Sequence, residues 1–325
     1  MGGNGDYVGG LAGYCRTADI IDCWNAGNVE ASGSAVAGIA GFTQGRVQRC
    51  ANVGNVTCTS ATGSDSQGNA AGLVAHGVPE IADCYNQGDV SGPQLTAGLM
   101  ATVGNSSTVM NRCYSTGNVH SAVPELAGAV AADGDYVMMG LDSVYYDRET
   151  YTGRLSSTDS MATGLTTREL SMCDSLGAAF QLKEGFYPTL VSMAGNALLD
   201  FYAATPVLGP LDTRDNVHGT FVVGTPEGTV WTASPAIVTF DGVNAIPTAT
   251  GEVTITKTMG ELSKSYKLTI ASTTGVDGTV ADSPVLSVTY YDLQGREVDA
   301  SHKGVLVKVV RYQNGVTRAS KQVVR

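Results

Sequence analysis

The chain has 325 residues, of which 15% are charged and 41 are glycine, and its net charge is −11. That length allows two or three domains. Glycine without a three-residue period excludes collagen, the acidic balance argues against nucleic acid, whose phosphates need cations, and no apolar run is long enough to span a bilayer as a helix.

Scarce Lys, Glu and Leu beside abundant Val, Thr, Gly, Asn and Ser predict an all-β protein with one short helix. The start, Met1-Gly2-Gly3-Asn4, is no signal peptide and leads straight into a repeat. A stack of repeats needs a cap on its open end, so the expectation is a fragment trimmed of an export signal and of further repeats.

One phrase recurs along the first half. It reads Cys23-Trp24-Asn25-Ala26-Gly27-Asn28-Val29, then Cys50-Ala51-Asn52-Val53-Gly54-Asn55-Val56, Cys84-Tyr85-Asn86-Gln87-Gly88-Asp89-Val90 and Cys113-Tyr114-Ser115-Thr116-Gly117-Asn118-Val119. Each copy follows a second phrase: Gly10-Leu11-Ala12, Gly38-Ile39-Ala40, Gly72-Leu73-Val74 and Gly98-Leu99-Met100. A fixed phrase with variable filler predicts stacked copies of one unit. Within a unit, Val36 to Phe42 reads as a short strand and Val47 to Ala51 as a half-buried one. Asn52 to Asn55 reads as a turn whose glycine supplies left-handed backbone. A propeller or sandwich is the weaker alternative, because blades need about 40 residues. Cys23, Cys50, Cys84 and Cys113 would form one ladder of buried side chains. Disulfides between rungs fit less well, because stacked side chains point the same way.

The Gly-Leu-x-Gly and Cys-Tyr-Asn-x-Gly-x-Val phrases resemble the GLUG repeat of bacterial surface proteins. That family includes adhesin-like proteins of Bacteroidetes and regions beside the catalytic domain of IgA1-specific metallopeptidases. The resemblance covers residues 1–153 and implies a right-handed β-helix or related β-solenoid. A worn fifth copy keeps Ala127-Gly128-Ala129-Val130 and replaces the cysteine phrase with Val144-Tyr145-Tyr146. Residues 154–202 read as the C-terminal cap. Thr166 and Glu169 have capping-box spacing, and Leu170, Cys173, Leu176 and Phe180 recur at helical spacing, which predicts one helix from Thr167 to Ala179. Gly185 to Leu190 follows as a strand.

Residues 203–275 hold strand candidates at 220–223, 237–240, 252–256 and 265–270, an order that resembles a bacterial immunoglobulin-like sandwich. Trp231 reads there as a core anchor. Residues 276–325 carry Asp292-Leu293-Gln294-Gly295-Arg296, a Lys303-Gly304-Val305 strand and an Asn314-Gly315 hairpin turn. After Leu293 there are seven Lys or Arg against two acidic residues. This segment resembles the C-terminal sorting domain of type IX secreted proteins, shortened, and implies an exported protein at the outer-membrane surface or secreted.

Chemistry is sparse. His76, His120, His218 and His302 lack any His-Glu-x-x-His neighbourhood, and there is no Gly-x-Ser-x-Gly elbow or phosphate loop. No catalytic residue, cofactor or metal is therefore assigned. Asp22, Arg49, Asp83 and Arg112 precede the ladder cysteines and read as a column of opposite charges, with a catalytic groove as the alternative. Asp133, Asp135, Asp142 and Asp147 lack the spacing of a calcium loop. Trp24, Tyr85 and Tyr114 share one position beside the cysteines and would face outward if cysteine faces inward, forming a row that could meet a ligand. The expectation is a non-enzymatic surface or secreted repeat protein that binds a host protein or glycan, or acts as a spacer. The alternatives are a carbohydrate-active β-helix enzyme, lyase or hydrolase, and an accessory region of an IgA1-protease-like protein.

Overall fold

The computed structural model describes residues 2–3, 6–60, 68–105, 107–132, 136, 140–271, 285–292, 294–312 and 317–324. The fold is mostly β, with 49% strand against 9% helix, and places the chain in the all-β class. Its first half is built from parallel sheets to which each repeat contributes one short strand. One sheet pairs Gly2–Gly3, Val29–Ala31, Val56–Cys58, Val90–Gly92 and Val119–Ser121. A second pairs Tyr7–Gly9, Ala35–Ala37, Asn69–Ala71, Thr96–Ala97 and Ala127–Gly128, and a third pairs Ala12–Cys15, Ala40–Thr43, Val74–Gly77 and Met100–Val103. The fourth carries Ile20–Ile21, Arg46–Gln48 and Glu80–Ala82 on one side of a bend and Trp24–Asn25, Ala51–Asn52 and Tyr85–Asn86 on the other, both joined to Val109–Ser115. Gly140–Asp147, from the worn fifth copy, adds the next strand along Val109–Ser115.

Identical positions therefore meet identical positions. Ala51 lies opposite both Trp24 and Tyr85, and Tyr85 opposite Tyr114. The interior fills with matching stripes: Ile39, Leu73, Leu99 and Val130 from the glycine phrase, and Val47, Ile81 and Met110 from the strand before the cysteines, all essentially sealed from solvent. Full burial of one such side chain contributes about 1.5–3 kcal/mol, and a single repeat has no second layer against which to bury it.

Two devices tie the rungs together. Asn25 Nδ2 donates to Asn52 Oδ1 and Asn52 Nδ2 to Asn86 Oδ1, each at 2.8 Å. The same amides also donate to the carbonyls of Gly27 and Gly54 at 2.8 Å, so the buried column satisfies itself. The glycine of the cysteine phrase serves close approach. A Cβ at Gly54 would lie 2.2 Å from the Gly27 carbonyl oxygen, and one at Gly88 2.0 Å from that of Gly54. This corrects the expectation of left-handed backbone there. The left-handed residues are instead Asp22, Arg49, Asp83, Arg112 and Ser143, with φ of 53°, 49°, 55°, 50° and 55°. They occupy the one position where each rung bends just before the cysteine. Asp is a residue that tolerates that conformation, whereas Arg is held in it by its neighbours.

The stack closes on a buried carboxylate. In earlier rungs the amides of the glycine phrase donate to carbonyls of the next rung, as Leu99 and Met100 do to Val130. After the last rung Asp159, fully buried, takes that part. Its Oδ2 accepts from Ala129 N and Ser156 N at 2.7 and 3.1 Å, and its Oδ1 from Val130 N and Ala131 N at 2.7 and 3.0 Å.

The predicted cap helix is shorter than expected. Both arms of the Thr166/Glu169 capping box form, but the helix spans only Thr167–Ser171. A 3-10 turn follows at Asp174–Leu176, and Gly177, at φ 77°, turns the chain out of helical conformation. Phe180–Gln181 then pairs antiparallel with Thr189–Leu190, the only part of the predicted 185–190 strand that forms. A second helix, Ala197–Ala203, went unpredicted; Asn196 caps it by accepting from Leu198 N and Leu199 N.

The second half holds two antiparallel sheets around one core. Pro206–Val207, Phe221–Val223, Asn244–Pro247 and Val238–Phe240 form one sheet, and Val230–Ser234, Gly251–Met259 and Leu262–Ile270 the other. Trp231 anchors that core beside Phe240 and Tyr266, with its Nε1 donating to Gly224 O at 2.8 Å. Lys257 joins this unit to the cap: its buried ammonium donates to the carbonyls of Phe201, Tyr202 and Ala204 at the end of the second helix. Beyond it, Glu297–Val298, Val285–Tyr291, Gly304–Tyr312 and Thr317–Val324 make a four-stranded antiparallel sheet in that order. In the Asp-Leu-x-Gly-Arg phrase, Asp292 closes the turn by accepting from Gln294 N, Arg296 N and Arg296 Nε. The Asn314-Gly315 turn lies outside the described residues. Among the described residues no helix is long and apolar enough to cross a membrane.

Candidate functional site

The predicted aromatic row is where its register requires but not where a ligand could reach it. Tyr85 and Tyr114 do point away from the interior of the rungs, and their rings stack at 5.1 Å. Both are fully buried, because the cap folds back across that face and sets Leu170, Leu176, Phe180, Tyr187, Leu190 and Leu199 against them. Tyr114 OH donates to Pro188 O at 2.5 Å and accepts from Gln87 Nε2 at 2.9 Å. Burial pushes both phenols well above their ordinary range. Ligand-facing Tyr85 and Tyr114 are thus corrected to cap contacts. Trp24, on the outer rung, stays 37% exposed.

The four ladder cysteines lie together in the core. Cys50, Cys84 and Cys113 are buried, Cys23 is half-buried, and Cys113 pairs with Val144 of the next rung. All seven cysteines are free thiols. Cys50 N donates to Cys84 Sγ at 3.3 Å, and Cys84 Sγ donates to Ala82 O at 3.1 Å. Burial raises the Cys84 thiol far above its usual pKa and that of Cys23 as well, which keeps them protonated and poor nucleophiles.

The charged column resolves into two forked pairs. Arg49 Nε and Nη2 grip Asp22 at 2.6 and 2.7 Å, and Arg112 Nε and Nη2 grip Asp83 at 2.5 and 3.0 Å. The Arg49 hydrogen bond holds the Asp22 carboxyl below its ordinary range. Carboxylates bound in this way serve rung-to-rung pairing, each oxygen accepting one guanidinium N–H. Of the four aspartates weighed for calcium, Asp133 and Asp135 lie outside the described residues. Asp142 takes only a 3.2 Å bond from Ser143, and Asp147 is buried, accepting from Glu149 N, Thr167 Oγ1 and Tyr187 OH. Among the described residues no group of three His, Cys, Asp or Glu is placed to hold a metal ion.

The outward aromatic column lies on another sheet. Tyr14 pairs with Phe42 and Phe42 with His76, each the fourth residue after the glycine that begins the second phrase. The Tyr14 and Phe42 rings stack at 4.6 Å and 7°, and Phe42 and His76 at 5.6 Å and 21°. Tyr7 meets Phe42 edge-on at 5.4 Å. Tyr14 is 57% exposed, and Phe42, His76 and Tyr7 are half-buried. Burial lowers the His76 pKa, so the imidazole is neutral at physiological pH and behaves as a fourth ring. The recurring offset from the glycine phrase was the available signal. It was missed because the ring type changes from Tyr to Phe to His and ends at Thr102.

Comparison of the chain with protein-family profiles, with curated proteins and with solved structures returned no match.

Proposed function

We propose that the protein is an exported, non-enzymatic repeat protein, at the outer-membrane surface or secreted, that binds a host protein or glycan along its flank. In this reading the parallel sheets are a β-solenoid of GLUG-type repeats, the two-sheet unit is an immunoglobulin-like module, and the last sheet is a sorting-like module. The in-register pairing of equivalent residues supports the solenoid. The observation that carries the binding role is the Tyr14–Phe42–His76 column with Tyr7 beside it. Aromatic rings in partial solvent are the side chains that interfaces favour. Because these rings lean on one another, solvent meets their edges and the outer face of Tyr14. That presentation suits a partner surface laid across the column better than sugars lying flat on each ring.

The test combines a glycan array and a panel of host surface proteins with turnover assays on soluble polysaccharides. Binding without turnover is expected, with Tyr14→Ala weakening it about tenfold and leaving the melting temperature unchanged. Product release that disappears in Asp22→Asn or Asp83→Asn would reinstate the enzyme reading. Binding indifferent to Tyr14→Ala would remove the column from its role.

A further inference from the structure

A cleft of about 210 Å³ opens where the repeat stack, the cap and the second β unit meet. Two carboxylates and two cations line it: Asp89, Glu149, Arg214 and Lys264. Each carboxylate is anchored through one oxygen to backbone, Asp89 Oδ1 to Asn118 N at 2.9 Å and Glu149 Oε2 to Thr167 N at 2.8 Å. Among the described residues neither cation is in a salt bridge. Lys264 reaches Gln87 O only at 3.5 Å, and Arg214 reaches Thr167 Oγ1 only at 3.5 Å. A third wall supplies Thr116.

Polar groups left short of partners in a recess are costly and call for an occupant that both donates and accepts. The charges that line the cleft balance two against two, which disfavours an ion of either sign. A hydroxyl both donates and accepts, so a ring carrying several hydroxyls could reach the free carboxylate oxygens, the ammonium and the guanidinium together. The volume is below the ~300–1,000 Å³ of pockets that take drug-sized ligands, which limits the occupant to one ring. Junctions between units are where such sites form. We propose that this cleft is a binding site for a single neutral monosaccharide unit. The proposal is independent of the surface column, and either can fail alone.

Saturation-transfer NMR on the full chain with glucose, galactose, mannose and N-acetylglucosamine, each to about 20 mM, suits the millimolar affinity of so small a ligand. At least one sugar should bind. Lys264→Met should weaken it about tenfold or more, while Tyr14→Ala should leave it unchanged. Melting curves check that each variant folds; Lys264→Arg, which keeps the charge, should retain most of the binding. The proposal is overturned if no sugar receives saturation, which would leave the cleft to water. It is equally overturned if binding survives Lys264→Met or disappears with Tyr14→Ala.

Discussion

Asp159 offers the sharpest test of how the stack is closed. Replacing it with Asn preserves shape and one oxygen. If the remaining oxygen keeps Val130 N and Ala131 N, the new amide turns its own N–H groups toward Ala129 N and Ser156 N, now 2.7 and 3.1 Å away with no acceptor. Two buried donors lose their partners at about 1–3 kcal/mol each, so a loss of about 2–6 kcal/mol is expected in denaturant titration at neutral pH. Hydrogen exchange localises it: the Ala129 amide should lose protection while Val74, deep in the stack, keeps its own. The pH dependence has a defined sign. Burial is the largest influence on Asp159 and raises its pKa, against the four amide bonds that lower it. A folded-state pKa above the unfolded one gives a contribution that is fully present below the unfolded value, about 3.9, and is lost as pH rises through the folded value. The gap between wild type and Asp159→Asn should therefore narrow as pH rises through that window. A gap below about 0.5 kcal/mol, within the range of an indifferent surface substitution, together with unchanged Ala129 exchange, would refute the capping argument.

Two further substitution pairs test the rungs. Gly54→Ala should destabilise by about 2–4 kcal/mol, because its Cβ would meet the Gly27 carbonyl at 2.2 Å, whereas Gly27→Ala, with nothing nearer than Asn25 Oδ1 at 3.6 Å, should cost less than about 1 kcal/mol; equal costs in urea titration would show that close approach is not what selects glycine. Tyr85→Phe removes a buried hydroxyl that has no partner and should be neutral or stabilising by up to about 1 kcal/mol. Tyr114→Phe should cost about 1–2 kcal/mol by breaking bonds to Pro188 and Gln87, and calorimetry that ranks the two the other way would contradict the cap contacts.

The parts of the fold legible in the sequence are those a repeat writes several times. The cysteine, asparagine and glycine positions recur with the chain's own period, and equivalent residues do meet in register. Why a recurring glycine is there was not legible, since left-handed backbone and close approach select the same residue and only the neighbouring rung distinguishes them. The left-handed position was hidden under Asp and Arg, whose charges offered a simpler explanation. The cap helix was overdrawn because Leu170, Leu176 and Phe180 are all buried on one surface. That surface is reached by a short helix, a 3-10 turn and a strand as readily as by one long helix. Asp159 carried no motif at all: three of its four amide partners lie about thirty residues earlier, which no local pattern records.

The two aromatic columns show why exposure is not a property of a rung alone. Alternation across a strand says correctly that the residue after an inward cysteine points outward. Along that column the side chains run Trp24, Ala51, Tyr85, Tyr114, and only the outermost is exposed, at 37% for Trp24 against 0% for the other three. The other column runs Tyr14, Phe42, His76, Thr102, and its rings give out in the direction of the capped end. Within these two sets of four, the rings nearest the cap are the ones it covers, and the most exposed rings, Trp24 and Tyr14, lie on the far rungs. A ring buried by the cap gains its apolar area from folding. A ring left in solvent gains only its neighbour's face, about 0.5–1.5 kcal/mol per stacked pair, which a polar side chain at Tyr14 would forgo at little cost to the fold. The placement of Tyr14 is therefore weakly demanded by stability, and that is the physical ground for proposing the flank, and not the cysteine-side row, as the surface that meets a partner.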